Sequence, residues 1–172
     1  MFTKSEFVGR AQHEVHILVH LASKVDPAML EYRPSAEQRS LMELLQYLTV
    51  FVPIHLRTIS AGRWDLETWR NDWRKEETAA KARTLEEIRM EIGKQRELFE
   101  ELVEPLSEDD LRAEMEMFGS KESRGSWLVW MVLCHYAAYR MQLFLYLKAC
   151  GLGDLSTMNL WAGIDATKRK DN

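Results

Sequence analysis

Apolar residues recur every three to four positions along four long stretches of the chain, with polar residues between them, and that period predicts helices. In the first stretch Val8, Ala11, Val15, Leu18, Ala22 and Val25 form one stripe. Thr3 followed by Glu6 has the spacing of a capping box, so a helix is predicted over 3–25, ending at Asp26-Pro27. The second stretch aligns Leu41, Leu44, Leu48, Phe51, Val52, His55 and Ile59; the helix is predicted from Ser35 or Ala36 to about Ser60, stopped by Ala61-Gly62 and kinked at Pro53. Thr84 and Glu87 open a charged third helix over 84–103, and a fourth, the most apolar, fills 126–150 and closes at Gly151.

Between the second and third helices lies a polar crossover, 63–83, with Trp64, Trp69 and Trp73 and room for one or two short helices. Residues 107–112 read as a short capped turn, 115–124 as a connector that can hold an extended piece, and Leu160 and Trp161 as an anchor for the segment after Gly153. The expected architecture is all-α: one four-helix-bundle domain over 1–165, with a long crossover, short accessory helices and a disordered tail over 166–172.

Polar groups inside the apolar helices are the candidate chemistry. On the fourth helix Leu128, Met131, His135, Tyr139, Gln142 and Tyr146 fall in one narrow stripe. On the second, His55 is on the core side and Tyr47 at its edge, two turns earlier. A buried imidazole, phenol or amide without a partner costs about 1 to 3 kcal/mol, so these groups bind each other or bind something else. Tyr47, His55, His135, Tyr139 and Gln142 are therefore the candidate ligand-binding set. His135 and His55 could contribute to a zinc, nickel, manganese or iron site, which would need a third donor; the alternative is a hydrogen-bonded core without a cofactor.

Other features read more plainly. His13, His16 and His20 lie within about 60° of one another but opposite the stripe of the first helix, which predicts a solvated face or a subunit contact. Cys134 and Cys150 would lie about 24 Å apart on one helix, so they are free thiols, with Cys134 packed as a small hydrophobe. The tryptophans of the crossover either pin it to the bundle or form a lid.

With 172 residues the chain can bury a sizeable core unaided. A formal net charge of −4 without a broad basic cluster excludes nucleic acid as the expected partner. The longest uncharged run, 125–139, has 15 residues, short of the roughly 18 to 20 that span a bilayer, so no membrane span is expected. The start of the chain carries no secretory pattern, which predicts a cytoplasmic location.

Arg33-Pro34 before the second helix, its opening SLMELLQYL, the TLEEI that starts the third helix, and HYAAYRMQLFLYLKACG on the last together resemble the DinB/YfiT-like superfamily over 5–151. The resemblance implies a four-helix bundle, a homodimer, and a divalent metal held by one histidine of the second helix and an HxxxH pair, followed by R-x-Q, on the last. It further implies thiol-dependent isomerase or transferase chemistry in the enzymatic branches. Residue by residue, His135 falls on the first histidine of the pair, Tyr139 on the second, Arg140 and Gln142 on the R-x-Q, and Tyr47 on the helix-2 histidine. Two expected ligands are thus tyrosines. Two readings follow: a small-ligand-binding or interaction module without the three-histidine metal, and a metal-dependent enzyme with a site rebuilt around His135 and His55.

Overall fold

The computed structural model describes residues 3–166; most of the expected tail, 167–172, lies outside them. Helix α1 is Lys4–Ser23, opened by the capping box in which the Thr3 side chain accepts from the Glu6 amide and the Glu6 carboxylate accepts from the Thr3 amide. Its expected stripe is buried, and so are Phe7, Glu14, Ile17 and Leu21, because α1 is covered on a second side. After a 3₁₀ turn at Pro27–Met29, α2 spans Leu41–Leu48 and α3 spans Phe51–Ala61.

The single kinked helix expected over 35–60 is therefore two helices that start later. Ser40 and Glu43 form a capping box that sets the beginning at Leu41. Pro53, which has no N–H and crowds the carbonyl four residues earlier, is accommodated in the first turn of a new helix after the chain turns at Thr49 and Val50. Gln95 supports this break from α5 by donating to the Leu48 carbonyl at 2.8 Å, and Tyr136 donates to Gln95 at 2.6 Å.

The crossover is one helix, α4, Leu66–Lys81, capped by Asp65 and packed against α2 and α3. Trp69 and Trp73 pack with Val50, Ile54 and Ala80, so these indoles pin the crossover. Helix α5, Leu85–Leu102, starts at the predicted Thr84–Glu87 box and buries Ile88, Ile92, Gln95 and Phe99. Then come α6, Glu108–Arg112, and a hairpin of β1, Glu114–Met117, with β2, Ser120–Ser123, which is the extended piece in the connector.

The last long rod is continuous over Arg124–Ala149: α7, Arg124–Leu128, a π-helical segment, Val129–Cys134, and α8, His135–Ala149. Arg124 is buried at its start and donates to the Ile59 and Ser60 carbonyls and to Asp110, closing the end of α3. The π segment inserts extra backbone into the turn, so a uniform 100° wheel loses its phase across it. Cys134 is exposed, not packed, because it falls on the outward face with Ala138, Met141 and Leu145. By length and composition this 26-residue rod could cross a membrane, and here it packs against α1, α2 and α3. Helix α1 lies against α5 and α8, while α2 and α3 lie against α5 and the last rod, which closes the four-helix core.

Helix α9, Thr157–Trp161, lies on α1 and α8. It corrects the solvated-face reading of the α1 histidines. His13 Nε2 donates to the Trp161 carbonyl at 2.9 Å, and Asn159 Nδ2 lies 3.0 Å from His20 Nε2. Gly163, at φ 65°, presses on His16 so closely that a Cβ there would fall 2.7 Å from the imidazole. Leu160 is the buried anchor, whereas Trp161 leaves most of its ring outside.

Candidate functional site

The break between α2 and α3 and the face of α8 after the π segment place four of the five candidate residues in one aromatic column. Tyr47, one residue before the end of α2, has its ring 5.5 Å from His135 and 4.9 Å from Tyr139, and His135 lies 4.4 Å from Tyr139. Phe51, the first residue of α3, continues the column. Its ring is 3.7 Å from His135 and nearly parallel to it at 2°, and 4.1 Å from His55 on its other contact. Beyond His55 stand Trp69 at 5.9 Å, Phe118 at 6.1 Å and Trp73 at 6.4 Å. At the opposite end the Arg39 guanidinium lies 4.0 Å over the Tyr47 ring, within cation–π range.

Gln142 is not part of the column. It donates to the Tyr146 hydroxyl at 2.8 Å, which donates to the Arg39 carbonyl at 3.1 Å. Gln142 lies about 4.5 Å further along the helix than Tyr139 and therefore steadies the loop that carries Arg39.

Both imidazoles are neutral near pH 7. His55 Nδ1 is 2.8 Å from the Phe51 carbonyl, which can only accept, so the proton is on Nδ1 and Nε2 presents its lone pair. Burial lowers the pKa of His55 against this bond. His135 is pushed down to about 3 by burial, then by His55 and Arg39. The Nε2 atoms of His55 and His135 are buried without a hydrogen-bond partner, and so are the indole nitrogens of Trp64 and Trp69. The Tyr47 phenol is pushed up by burial and by the Tyr139 hydroxyl, so it stays protonated.

These donors suit a divalent metal poorly. The three positions that the resemblance maps onto metal ligands do converge, but they offer one imidazole and two phenols, and a phenol must lose a proton that burial makes harder to lose. The Phe51 ring stacks on both His135 and His55 and fills the space where the two imidazoles would share an ion. Among the described residues no group of three or more His, Cys, Asp or Glu is arranged to hold one.

Tyr47 also lines a surface cleft of about 360 Å³, together with Trp73, the cations Arg33, Arg39 and Lys81, and the carboxylates Glu37, Glu43 and Glu77. The column therefore runs from Trp69 and Phe118 at one end to a cleft of mixed charge at the other, where Arg33 pairs with Glu43 and Lys81 with Glu77.

Residue types alone did not reveal Arg39 and Phe51 as parts of this arrangement. Phe51 stood in the predicted core stripe, but its place between two histidines depends on the helix break. Arg39 sits in an irregular loop without periodicity.

No protein-family model matches the chain, and no curated protein matches it in sequence. In structure it is similar to the DinB-like protein YjoA of Bacillus subtilis, with a TM-score of 0.67 over 88% of this chain and 95% of that one, at 18% sequence identity. At this identity the likeness shows the fold, and the fold is DinB-like.

Proposed function

We propose that this DinB-like chain is a small-ligand-binding module that works without a metal ion, taking its ligand at the Tyr47 end of the aromatic column. The observation that carries the reading is the pair of neutral, buried imidazoles whose Nε2 atoms have no partner, that of His55 being an acceptor. Each such unpaired buried group costs about 1 to 3 kcal/mol. A ligand N–H or O–H would meet that need. Tyr47 is common to the cleft and the column, so a group entering beside it meets His135 next. A flat ring would lie against Tyr47 at the mouth, where the Arg39 guanidinium stands over the phenol and cations and carboxylates both line the cleft.

The test is calorimetric titration with small hydroxylated aromatic acids as probes, beside elemental analysis and thermal melts with EDTA or added Zn²⁺, Ni²⁺, Mn²⁺ or Fe²⁺. Binding that His135→Phe abolishes, with melts indifferent to metal and chelator, supports the module. A stoichiometric metal whose removal lowers the melt would overturn it and establish the metal-dependent enzyme built on His135 and His55, for which thiol transfer is then the assay.

A further inference from the structure

Phe51 divides the aromatic column. Its ring stacks on His135 at 3.7 Å and on His55 at 4.1 Å, so a ligand that enters beside Tyr47 reaches His135 and stops there. The bare Nε2 of His55 belongs to a second compartment, where further unpartnered groups stand. His55 is 1% exposed, and its Nδ1 is bound to the Phe51 carbonyl, so Nε2 is its one remaining position, an acceptor. The Trp69 ring lies 5.9 Å from this imidazole, and its indole nitrogen is buried without an acceptor. Trp64 has the same unmet donor. Phe118 joins the three rings, 6.1 Å from His55, 5.5 Å from Trp69 and 4.9 Å from Trp64. It stands at the tip of the β1–β2 hairpin with φ 54°, a left-handed backbone that bulky residues rarely adopt and that no other non-glycine among the described residues has. The turn holds an aromatic ring against these groups.

The unmet groups specify their complement. One imidazole nitrogen requires a donor and two indole N–H groups require acceptors; a hydroxyl offers one donor and two lone pairs. The walls are aromatic, with Phe51, Trp73 and Phe118 against His55, which suits a ring attached to that hydroxyl. Trp64 and Trp69 also line a surface cleft of about 690 Å³, which gives a small molecule its way in between the indoles. That cleft sets Arg57, Arg63 and Lys75 against Asp65, Asp72 and Glu76, so its charges cancel and select neither anion nor cation. A phenol, with a pKa of about 10, is neutral near pH 7 and meets all of these conditions.

We propose that His55, Trp64 and Trp69 form a second ligand site, separate from the Tyr47 end, that takes the hydroxyl of a neutral phenol. It rests on the same premise as the ligand-binding module, that bare buried groups mark a place for a ligand, and not on the entry at Tyr47. The probe is p-cresol, and toluene, the same molecule without the hydroxyl, is its control. Nitrogen–proton correlation spectra of the isotope-labelled full chain resolve the indole signals of its six tryptophans, and Trp64→Phe and Trp69→Phe assign the two that matter. Saturable movement of the Trp64 and Trp69 signals is expected with p-cresol, and far less with toluene. His55→Phe keeps a flat ring and removes the acceptor; it is expected to weaken p-cresol about tenfold with the far-ultraviolet circular dichroism spectrum unchanged, whereas His135→Phe should leave p-cresol within about twofold. Still signals at Trp64 and Trp69, equal movement with toluene, or a p-cresol effect that disappears in His135→Phe overturns the proposal. Indole signals that receive magnetisation from water and ignore p-cresol would mean an ordered water alone, which overturns it as well. Titration with the hydroxylated aromatic acids reports on the Tyr47 end independently, so either site can fail while the other stands.

Discussion

Two polar inclusions interrupt the same hydrophobic core, and they differ in whether their groups answer each other. Towards α1, Arg140 donates to both carboxylate oxygens of Glu14 at 2.9 and 2.8 Å, and both residues are buried. Towards α2 and α3, His135 and His55 flank Phe51 with their Nε2 atoms unpartnered. The first inclusion is closed in charge, each ion answered by the other, although Arg140 Nε is left without a hydrogen-bond partner. The second is open, and an open inclusion is where a ligand gains by binding. Burial alone does not mark a site; what distinguishes the second inclusion is unmet hydrogen bonding close to an open cleft.

The comparison can be broken most forcefully at the ion pair. Glu14→Ala or Arg140→Ala leaves a buried charge alone and is expected to cost about 3 to 5 kcal/mol in urea unfolding, whereas Glu14→Leu with Arg140→Met should lose far less than either single change. A double variant as unstable as the singles would show that the pair does more than answer itself.

The next effect is on the open side and depends on pH. Because the folded-state pKa of His135 is about 3 and the ordinary value is 6.5, the unfolded chain binds the proton first as pH falls. The stability is complete above about pH 6.5 and is lost on acidification through the window down to about 3, with a slope near 1.4 kcal/mol per pH unit for each such group. Unfolding midpoints measured at successive pH values should fall less steeply in His135→Phe than in the wild type; equal slopes would mean that His135 is not held neutral by its surroundings.

A smaller effect is expected at the α1 histidines. Gly163→Ala places a Cβ 2.7 Å from His16 and 3.1 Å from the Ile17 backbone, on a left-handed residue, and should cost about 1 to 2 kcal/mol while hydrogen exchange rises in α9. The smallest change is the most discriminating one. His135→Phe keeps a flat ring in the column and removes an unpaired buried nitrogen, so its stability should stay within about 1 kcal/mol of the wild type as ligand binding disappears. A large loss would mean that His135 has a structural partner after all.

How far the sequence could be read followed from how local each determinant was. Thr3 with Glu6 and Thr84 with Glu87 act within four residues, and the helices they open begin where predicted. Ser40 with Glu43 carried the same signal for α2, but the turn-forming residues from Ser35 onward resembled an earlier start. The burial of Glu14 depends on Arg140 and on α9, far along the chain, and no periodicity within α1 announces them. The candidate residues Tyr47, His55, His135 and Tyr139 were legible because inward polar groups stand out on apolar helices. Gln142 was misplaced because a narrow angular stripe ignores height along the axis.

The π-helical turn at Val129–Cys134 makes the last rod two helices held at a fixed phase offset. Upstream, Arg124 and Trp127 are locked to the end of α3 and to the hairpin; downstream, His135 and Arg140 are locked to opposite inclusions. Removing one residue from the turn would wind it back to an ordinary α-helix and rotate one half against the other by about 100°. The column, the ion pair and the Arg124 closure could not then all persist. In this sense the chain's spare residue is a keyway: it admits one relative rotation of the two halves, so a one-residue deletion there should be far less tolerated than one in the exposed crossover helix.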